Sequence, residues 1–484
     1  MLDDASAAGT PDWWLIRLGS RLSVERKRFH RLENYHRGNH PLPFGNRKMR
    51  EAYKRLQRQA RSNYTGLVAE ALLERMKVLG FRSGGATTDE ADATAWSWWQ
   101  LNKMDANSGL VHRAAVVMSR AYVIVGDQNG QPLVTGEDPR QVIHESDPTD
   151  RYLLRAALKV WTDDVLNCEL AVLYLPDSIH YYSSTASMTA ANTAQIWKPA
   201  NWQIDLSQDF APNGVASNEF GEVPVVPFIN RPDLTGNGLG EFEDVTDIQD
   251  RINTGILDRL VISGMQAYRQ RWVKGIDLED AAGNPQTVFD PGADLLWAVP
   301  DANAAFGEFG ATDLTSLIAA TESDVTHLAA ITRCPPQYLL GSISNLSGDA
   351  LAAAEVGLVA KTAEREQEFG ESWEAVYRLA GKVIGDTIPD DAEVIWKDPQ
   401  FRTLTEMASA SVQLQSAGVP WRTRMSMLDK SPQEIDRMDA ERTADAAVAA
   451  AALPPPVAPT AAPGSSTGAV VPVTPIPPIP DDQS

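Results

Sequence analysis

Residues 331–381 leave few ways to build this chain. The run Ile331-Thr-Arg-Cys-Pro-Pro336 puts two prolines side by side. Neither has a backbone N–H, and Cys334 before them is pushed out of the α region, so a helix arriving here must stop. The next stretch, Gly341, Ser342, Ile343, Ser344, Asn345, Leu346, Ser347 and Gly348, is small and uncharged. From Asp349 onward almost every residue is a good helix former. A rigid stop, an uncharged loop and one long helix make a poor frame for catalysis. They suit a loop held out into a space where something slides past.

The 484 residues, 43% of them hydrophobic, are enough to bury a core and to divide into roughly two to four domains. Cys168 and Cys334 are too few for a disulfide framework and too far apart for a metal knuckle. Cys168, inside the apolar run 166–174, reads as a small buried hydrophobe, the usage of a reducing compartment. The start Met1-Leu-Asp-Asp-Ala lacks a signal pattern, and no apolar run reaches membrane-spanning length. The expectation is a soluble protein made in a cytoplasm, with no membrane partner. Net charge is −21, but residues 1–82 hold 17 Lys and Arg against 8 Asp and Glu, which is +9 and leaves −30 for the rest. So acidic a chain repels nucleic acid, and only the basic N-terminal segment offers phosphate contacts. There the cations alternate with Leu32, Tyr35, Tyr53, Leu56 and Tyr64 at helical spacing, as solvated helix faces do.

The periodicity predicts an α+β chain. Helices are expected over 11–37, 46–76 (broken near Ser62-Asn63), 88–102 and 107–119. Strands of an antiparallel sheet are expected over 121–125, 132–135, 140–144, 155–161, 168–175, 178–182 and 195–197, with Asn129-Gly130 as a hairpin turn. The two prolines of 223–229 put that strand on an edge. A helix over 242–268 carries Val245, Ile248, Ile252, Ile256 and Leu260 as one apolar stripe, with acids on its other faces. An insert over 270–309, with strand-like 271–274 and 295–299, separates it from a shorter helix over 313–331. The long helix runs from 349 to about 385, followed by a strand at 393–396 and helices over 403–417, 421–428 and 432–452. From Leu453 the Pro/Ala/Ser/Thr composition is that of a disordered terminus.

Motifs for chemistry fail on inspection. Gly236-Asn-Gly-Leu-Gly-Glu241 puts Glu241 where a dinucleotide fingerprint needs its third glycine, and a carboxylate there would oppose a pyrophosphate. His36 and His40 are split by a Gly-Asn turn with no acid between them, unlike a zinc helix. No phosphate loop and no nucleophile elbow occurs, and Gly464-Ser-Ser-Thr-Gly468 lies in the tail. No catalytic residue, no metal ligand and no cofactor is assigned.

Several segments, in order, resemble bacteriophage portal proteins of the SPP1 type, in the branch whose phages infect actinobacteria. They are Tyr35-His-Arg-Gly-Asn-His-Pro-Leu-Pro43, 72–81, Glu137-Asp-Pro-Arg-Gln-Val142, 223–228, Asp247-Ile-Gln-Asp-Arg-Ile-Asn253, 331–336, Ser347-Gly-Asp-Ala-Leu351 and Phe369-Gly-Glu-Ser-Trp-Glu374. The resemblance covers about 11–446. It implies a ring, usually of twelve copies, at one capsid vertex of the virion, assembled in the host bacterial cytoplasm. Double-stranded DNA would enter and leave through its channel. Terminase large subunit, head-completion adaptor, scaffold and major capsid protein would be its partners. It also implies a division into wing (1–240), stem helix (241–268), clip (269–311), second stem helix (312–334), tunnel-loop region (335–348), long wing helix and strand (349–400), crown (401–452) and tail (453–484). The tunnel loop would be Gly341–Gly348. The stem residues would include Asp247, Asp250, Arg251 and Asp258, and the clip contacts Trp272, Lys274, Phe289 and Asp290. Two other classes stay open: a scaffold or adaptor ring without DNA passage, and a hydrolase with an acidic cleft.

Overall fold

Thr10 and Pro11 start the first helix, α1 (Pro11–His36): the threonine hydroxyl accepts from the Trp13 N–H at 3.3 Å, and proline at the first helical position forfeits no bond. The computed structural model describes residues 7–43, 54–83, 92–166, 168–184, 210–267, 271–274, 305–308, 313–341 and 348–452. Within it Met1–Pro432 forms one unit and Gln433–Ser484 another. The helical region expected over 46–76 is broken as its polar residues suggest. Residues 54–59 are helical (α2), and Asn63 caps a new helix, α3 (Tyr64–Leu73), by accepting from the Gly66 N–H at 3.0 Å.

A strand that the sequence reading missed follows, β1 (Val78–Arg82). Then come α4 (Ala93–Leu101), capped by Asp92, and α5 (Met104–Met118). The strands β2 (Arg120–Gln128) and β3 (Gln131–Glu137) form the expected hairpin. Asn129 (φ 57°) and Gly130 (φ 77°) both adopt the left-handed geometry that a two-residue turn requires.

The remaining strands divide between two sheets, where one was expected. β4 (Val142–Ser146), β5 (Leu154–Asp163), β6 (Cys168–Tyr174), β7 (Ser178–Ser184) and β8 (Phe210–Ser217) form a five-stranded antiparallel meander. β9 (Val225–Ile229) pairs instead with β2, giving a three-stranded sheet ordered β3-β2-β9 with Pro227 on an edge strand, as its prolines required. β8 was not anticipated, because Phe-Ala-Pro-Asn-Gly-Val-Ala-Ser has no strand-like alternation. The strand expected at 195–197 lies outside the described residues. Cys168 corrects its expectation: it is half-buried, because it opens β6 beside the turn while full burial begins only at Ala171.

α1 joins two of the three apolar clusters among the described residues. Leu15, Leu18 and Leu22 pack on the five-stranded sheet with Ile143, Leu158 and Leu173, whereas Phe29, Leu32 and Tyr35 belong to the main core. The chain then enters a helical turn (Glu243–Val245), α6 (Thr246–Ala267), the strands β10 (Arg271–Lys274) and β11 (Ala305–Glu308), α7 (Thr315–Ile331), the short α8 (Pro336–Leu340) and the long α9 (Gly348–Ile384). β10 pairs antiparallel with β11, which the sequence reading did not call a strand; residues 295–299, which it did, lie outside the described residues. α9 ends on the core through Phe369, Trp373, Val376 and Tyr377. β12 (Glu393–Trp396) pairs with β1, then α10 (Leu404–Ser416) and α11 (Trp421–Ser426) follow. α10 opens with a reciprocal capping box between Thr403 and Glu406 and buries none of its residues. α12 (Pro432–Ala452) begins on a proline, the last residue of the first unit, and the tail from 453 lies outside the described residues.

The middle of α9 buries one carboxyl without a full set of partners. Glu366 is 6% exposed, its Oε1 meets no donor, and burial together with nearby Asp398 pushes its pKa up to about 8. Between its ordinary value of 4.5 and about 8, the folded chain holds this proton and the unfolded chain does not. Stability therefore falls as pH rises through that window, and above it the whole penalty applies. Glu366→Gln should flatten that fall in thermal unfolding, matching the parent near pH 5 and exceeding it by about 1–3 kcal/mol near pH 9.

Candidate functional site: the paired helices and the feet of the uncharged loop

The glycine run before α6 is a packing device. A Cβ on Gly238 would lie 2.3 Å from the Ser119 carbonyl oxygen, and one on Gly240 would lie 2.9 Å from that of Val117. The Glu241 N–H donates to the Val116 carbonyl at 2.9 Å, so the run lies against the C-terminal end of α5. Glu241, which spoils the nucleotide fingerprint, is 5% exposed and serves as a buried counter-ion. Its carboxylate is 3.1 Å from Lys361 Nζ and 3.4 Å from Arg365 Nε, both on α9 and both buried. Burial pushes its pKa upward, but Lys361 and Arg365 outweigh this and hold it below the ordinary value. Lys361 also donates to the Thr332 carbonyl at the end of α7, at 2.8 Å. One lysine thus ties together the entry to α6, the exit of α7 and the long helix.

The start of α6 is locked by amides set into its apolar stripe. Gln249 and Asn253, four apart and fully buried, face the turn between α2 and α3. Gln249 Oε1 accepts from the N–H groups of Tyr64 (3.0 Å) and Thr65 (3.3 Å), and its Nε2 donates to the Ser62 carbonyl (2.7 Å). Asn253 Oδ1 accepts from Ser62 N–H, and its Nδ2 donates to His40 Nδ1. His40 is buried, which lowers its pKa, and its Nε2–H points at the Tyr35 carbonyl 3.1 Å away. Tyr35 in turn donates its hydroxyl to Asp250 at 2.8 Å. Two segments far apart in sequence, 35–43 and 247–253, are therefore two halves of one buried polar lock.

The candidate stem residues fall into three settings. Asp250 belongs to that lock. Arg251 reaches across to Asp324 on α7 (2.8 and 3.0 Å) and pairs the two helices, which approach closely at Gly255. Asp247 and Asp258 are exposed, with no ion-pair partner among the described residues. Of the clip candidates, Trp272 and Lys274 lie on β10, opposite Gly307 and Ala305, and Lys274 is exposed; Phe289 and Asp290 lie outside the described residues.

α7 ends before the prolines. Arg333 takes a left-handed φ of 52°, the Cys334 N–H closes back on the Ala329 carbonyl, and Pro336 starts α8. Buried Cys334 has its thiol pushed up to about 11, so it stays protonated near neutral pH. Gly341, with φ 64°, ends α8, and Gly348 opens α9; Ser342, Ile343, Ser344, Asn345, Leu346 and Ser347 lie outside the described residues. The two feet of this loop are tied together. Tyr338 on α8 donates its hydroxyl to Glu355 on α9 at 2.8 Å, and Arg75 holds both, at 2.9 and 3.1 Å. Sequence reasoning missed this clamp, and also Gln249, Asn253, Glu241, Lys361 and Arg365. The only sequence signal for the lock was two amides four apart on an otherwise apolar face.

Among the described residues no His, Cys, Asp and Glu group could hold a metal ion, and no helix is long and apolar enough to cross a membrane.

The model of the family described as phage portal protein, SPP1 Gp6-like, matches residues 20–447. The portal protein of Mycobacterium phage D29 is 30% identical over 381 residues, 74% of this chain and 73% of that protein. The portal protein of Mycobacterium phage L5 is 29% identical over 414 residues, 80% of each. A chain in the solved virion of a native gene transfer agent particle is similar at a TM-score of 0.38 and 10% identity, covering 78% of this chain and 91% of that one.

Proposed function

The chain belongs to the SPP1 Gp6-like phage portal protein family, and from that membership we propose how its parts divide the work. A portal protein is a virion component that forms an oligomeric ring with the capsid. For this chain we assign a ring of twelve copies at one vertex, assembled in the host cytoplasm and carrying DNA through its channel during packaging and ejection. α6 and α7 are its stem, and the β10–β11 insert between them is the clip on which terminase and the head-completion adaptor dock. α10 to α12 form the crown, and scaffold and major capsid protein meet the outer wing. The chain performs no catalytic step of its own.

The observation that carries this reading is the clamp under the loop. Tyr338, Glu355 and Arg75 tie α8 to α9, the two helices that flank the uncharged segment, and this supports reading the segment as a loop offered to the channel. Gly341–Gly348 offers DNA no cation, so it guides without gripping. Adding cations should therefore hinder passage. Ser344→Lys with Asn345→Lys should reduce DNA packaged per prohead about tenfold at low salt and recover at higher salt, as counterion release requires. Unchanged packaging at low salt would remove the loop from the channel wall.

A further inference from the structure

The basic N-terminal segment does more than supply Arg75 to the clamp between α8 and α9. Its cations are not all spread over solvated faces. Lys27 and Arg31, one turn apart on α1, join His30 and Arg61 around a concave cleft of about 550 Å³ closed by Asn34, Asn39 and His40. No carboxylate lines it. Arg61 Nε is buried without a hydrogen-bond partner, Lys27 is exposed with no ion-pair partner among the described residues, and Arg31 reaches only the Thr246 hydroxyl at 3.4 Å. Glu243 acts on Arg31 and Asp250 on the Tyr35 and His40 wall, but Lys27 and Arg61 make no ion pair among the described residues, so the cleft keeps exposed positive charge in a chain of net charge −21.

The same subunit displays the complement. Asp258 lies eleven residues beyond Asp247 on α6, within about 20° of the same face and about 16 Å further along it, whereas Asp247 already reaches Tyr35 in the wall of its own copy's cleft. Both are exposed and unpaired among the described residues, and Arg251 between them is already neutralised by Asp324. A closed ring needs two different faces on each copy that fit one another. We propose that the cleft of Lys27, Arg31 and Arg61 receives the acidic face of the neighbouring copy's α6, so that the cleft is completed only in the ring. This rests on the ring-forming role of the family. DNA is the weaker occupant: a duplex needs a basic stripe, whereas this is a single concavity.

Charge reversal with rescue tests the pairing on the purified full chain, with mass by light scattering at low salt and heat unfolding as a check on each subunit. The parent should form rings. Lys27→Glu with Arg61→Glu, and separately Asp258→Arg, should lower the ring fraction at least tenfold, and combining both sets in one chain should restore it. Since Arg61 is partly buried, Lys27→Glu alone serves as the second cleft variant and should weaken assembly in a salt-dependent way. Rings that form normally in both one-sided variants overturn this inference and leave the portal reading intact. Rings that assemble normally from the cleft variant but lose DNA retention overturn it in favour of a nucleic-acid contact. A parent chain that never forms rings removes the premise itself.

Discussion

Glu241→Ala should cost about 3–5 kcal/mol of stability, the range for breaking a buried ion pair from one side. The loss comes from what remains: Lys361 and Arg365, each under 5% exposed, would keep their charges away from water with no carboxylate between them. Urea unfolding near neutral pH should show the drop. Glu241 titrates below its ordinary value of 4.5 in the folded chain. Its contribution is therefore full above that value and is lost as pH falls through the folded pKa, so parent and variant should converge in acid. Replacing all three residues by apolar ones of similar volume should recover most of the loss, since a buried ionic triad is worth little over good packing. If Glu241→Ala alone is neutral, the carboxylate is not what ties α6 to α9.

Trp373→Ala should cost a similar amount, about 3–5 kcal/mol, for a different reason. This side chain is fully buried where α4, α5 and β9 meet the long helix. Its ring lies 4.7 Å from that of Phe228 and 5.0 Å from that of Trp99, and its Nε1–H donates to His112 Nε2 at 2.9 Å. His112 is held neutral by burial, its pKa lowered to about 3, so it can accept that bond. Alanine would leave both a cavity and an imidazole nitrogen with no donor. Trp373→Phe should keep most of the packing and lose about 1–2 kcal/mol, mainly through the hydrogen bond. Denaturant midpoints with unchanged slopes would check both values.

Much of this architecture could be read from the chain because local chemistry decides it. The Asn129-Gly130 hairpin, the edge position of the proline-bearing β9 and the start of α9 all follow from residues that permit little else. The missed elements depend on their partners. β1 pairs with the expected strand β12, more than 300 residues away, only because the fold brings them together, and β8 is held by β7 rather than by its own sequence. The functional residues divide in the same way. Arg251 was singled out as a stem residue, but its partner Asp324 lies on the other helix. Glu241 drew attention as the flaw in a nucleotide motif, and its buried cations are over 100 residues further on. A polar residue on an apolar face signals a partner without saying which one, as Gln249 and Asn253 illustrate.

The most direct test of the central claim is a top view of the purified full-length protein by electron microscopy. Closed rings with a central opening and a single subunit number are the expected result. A chain that stays monomeric at every concentration, even with its capsid and scaffold proteins present, would contradict it.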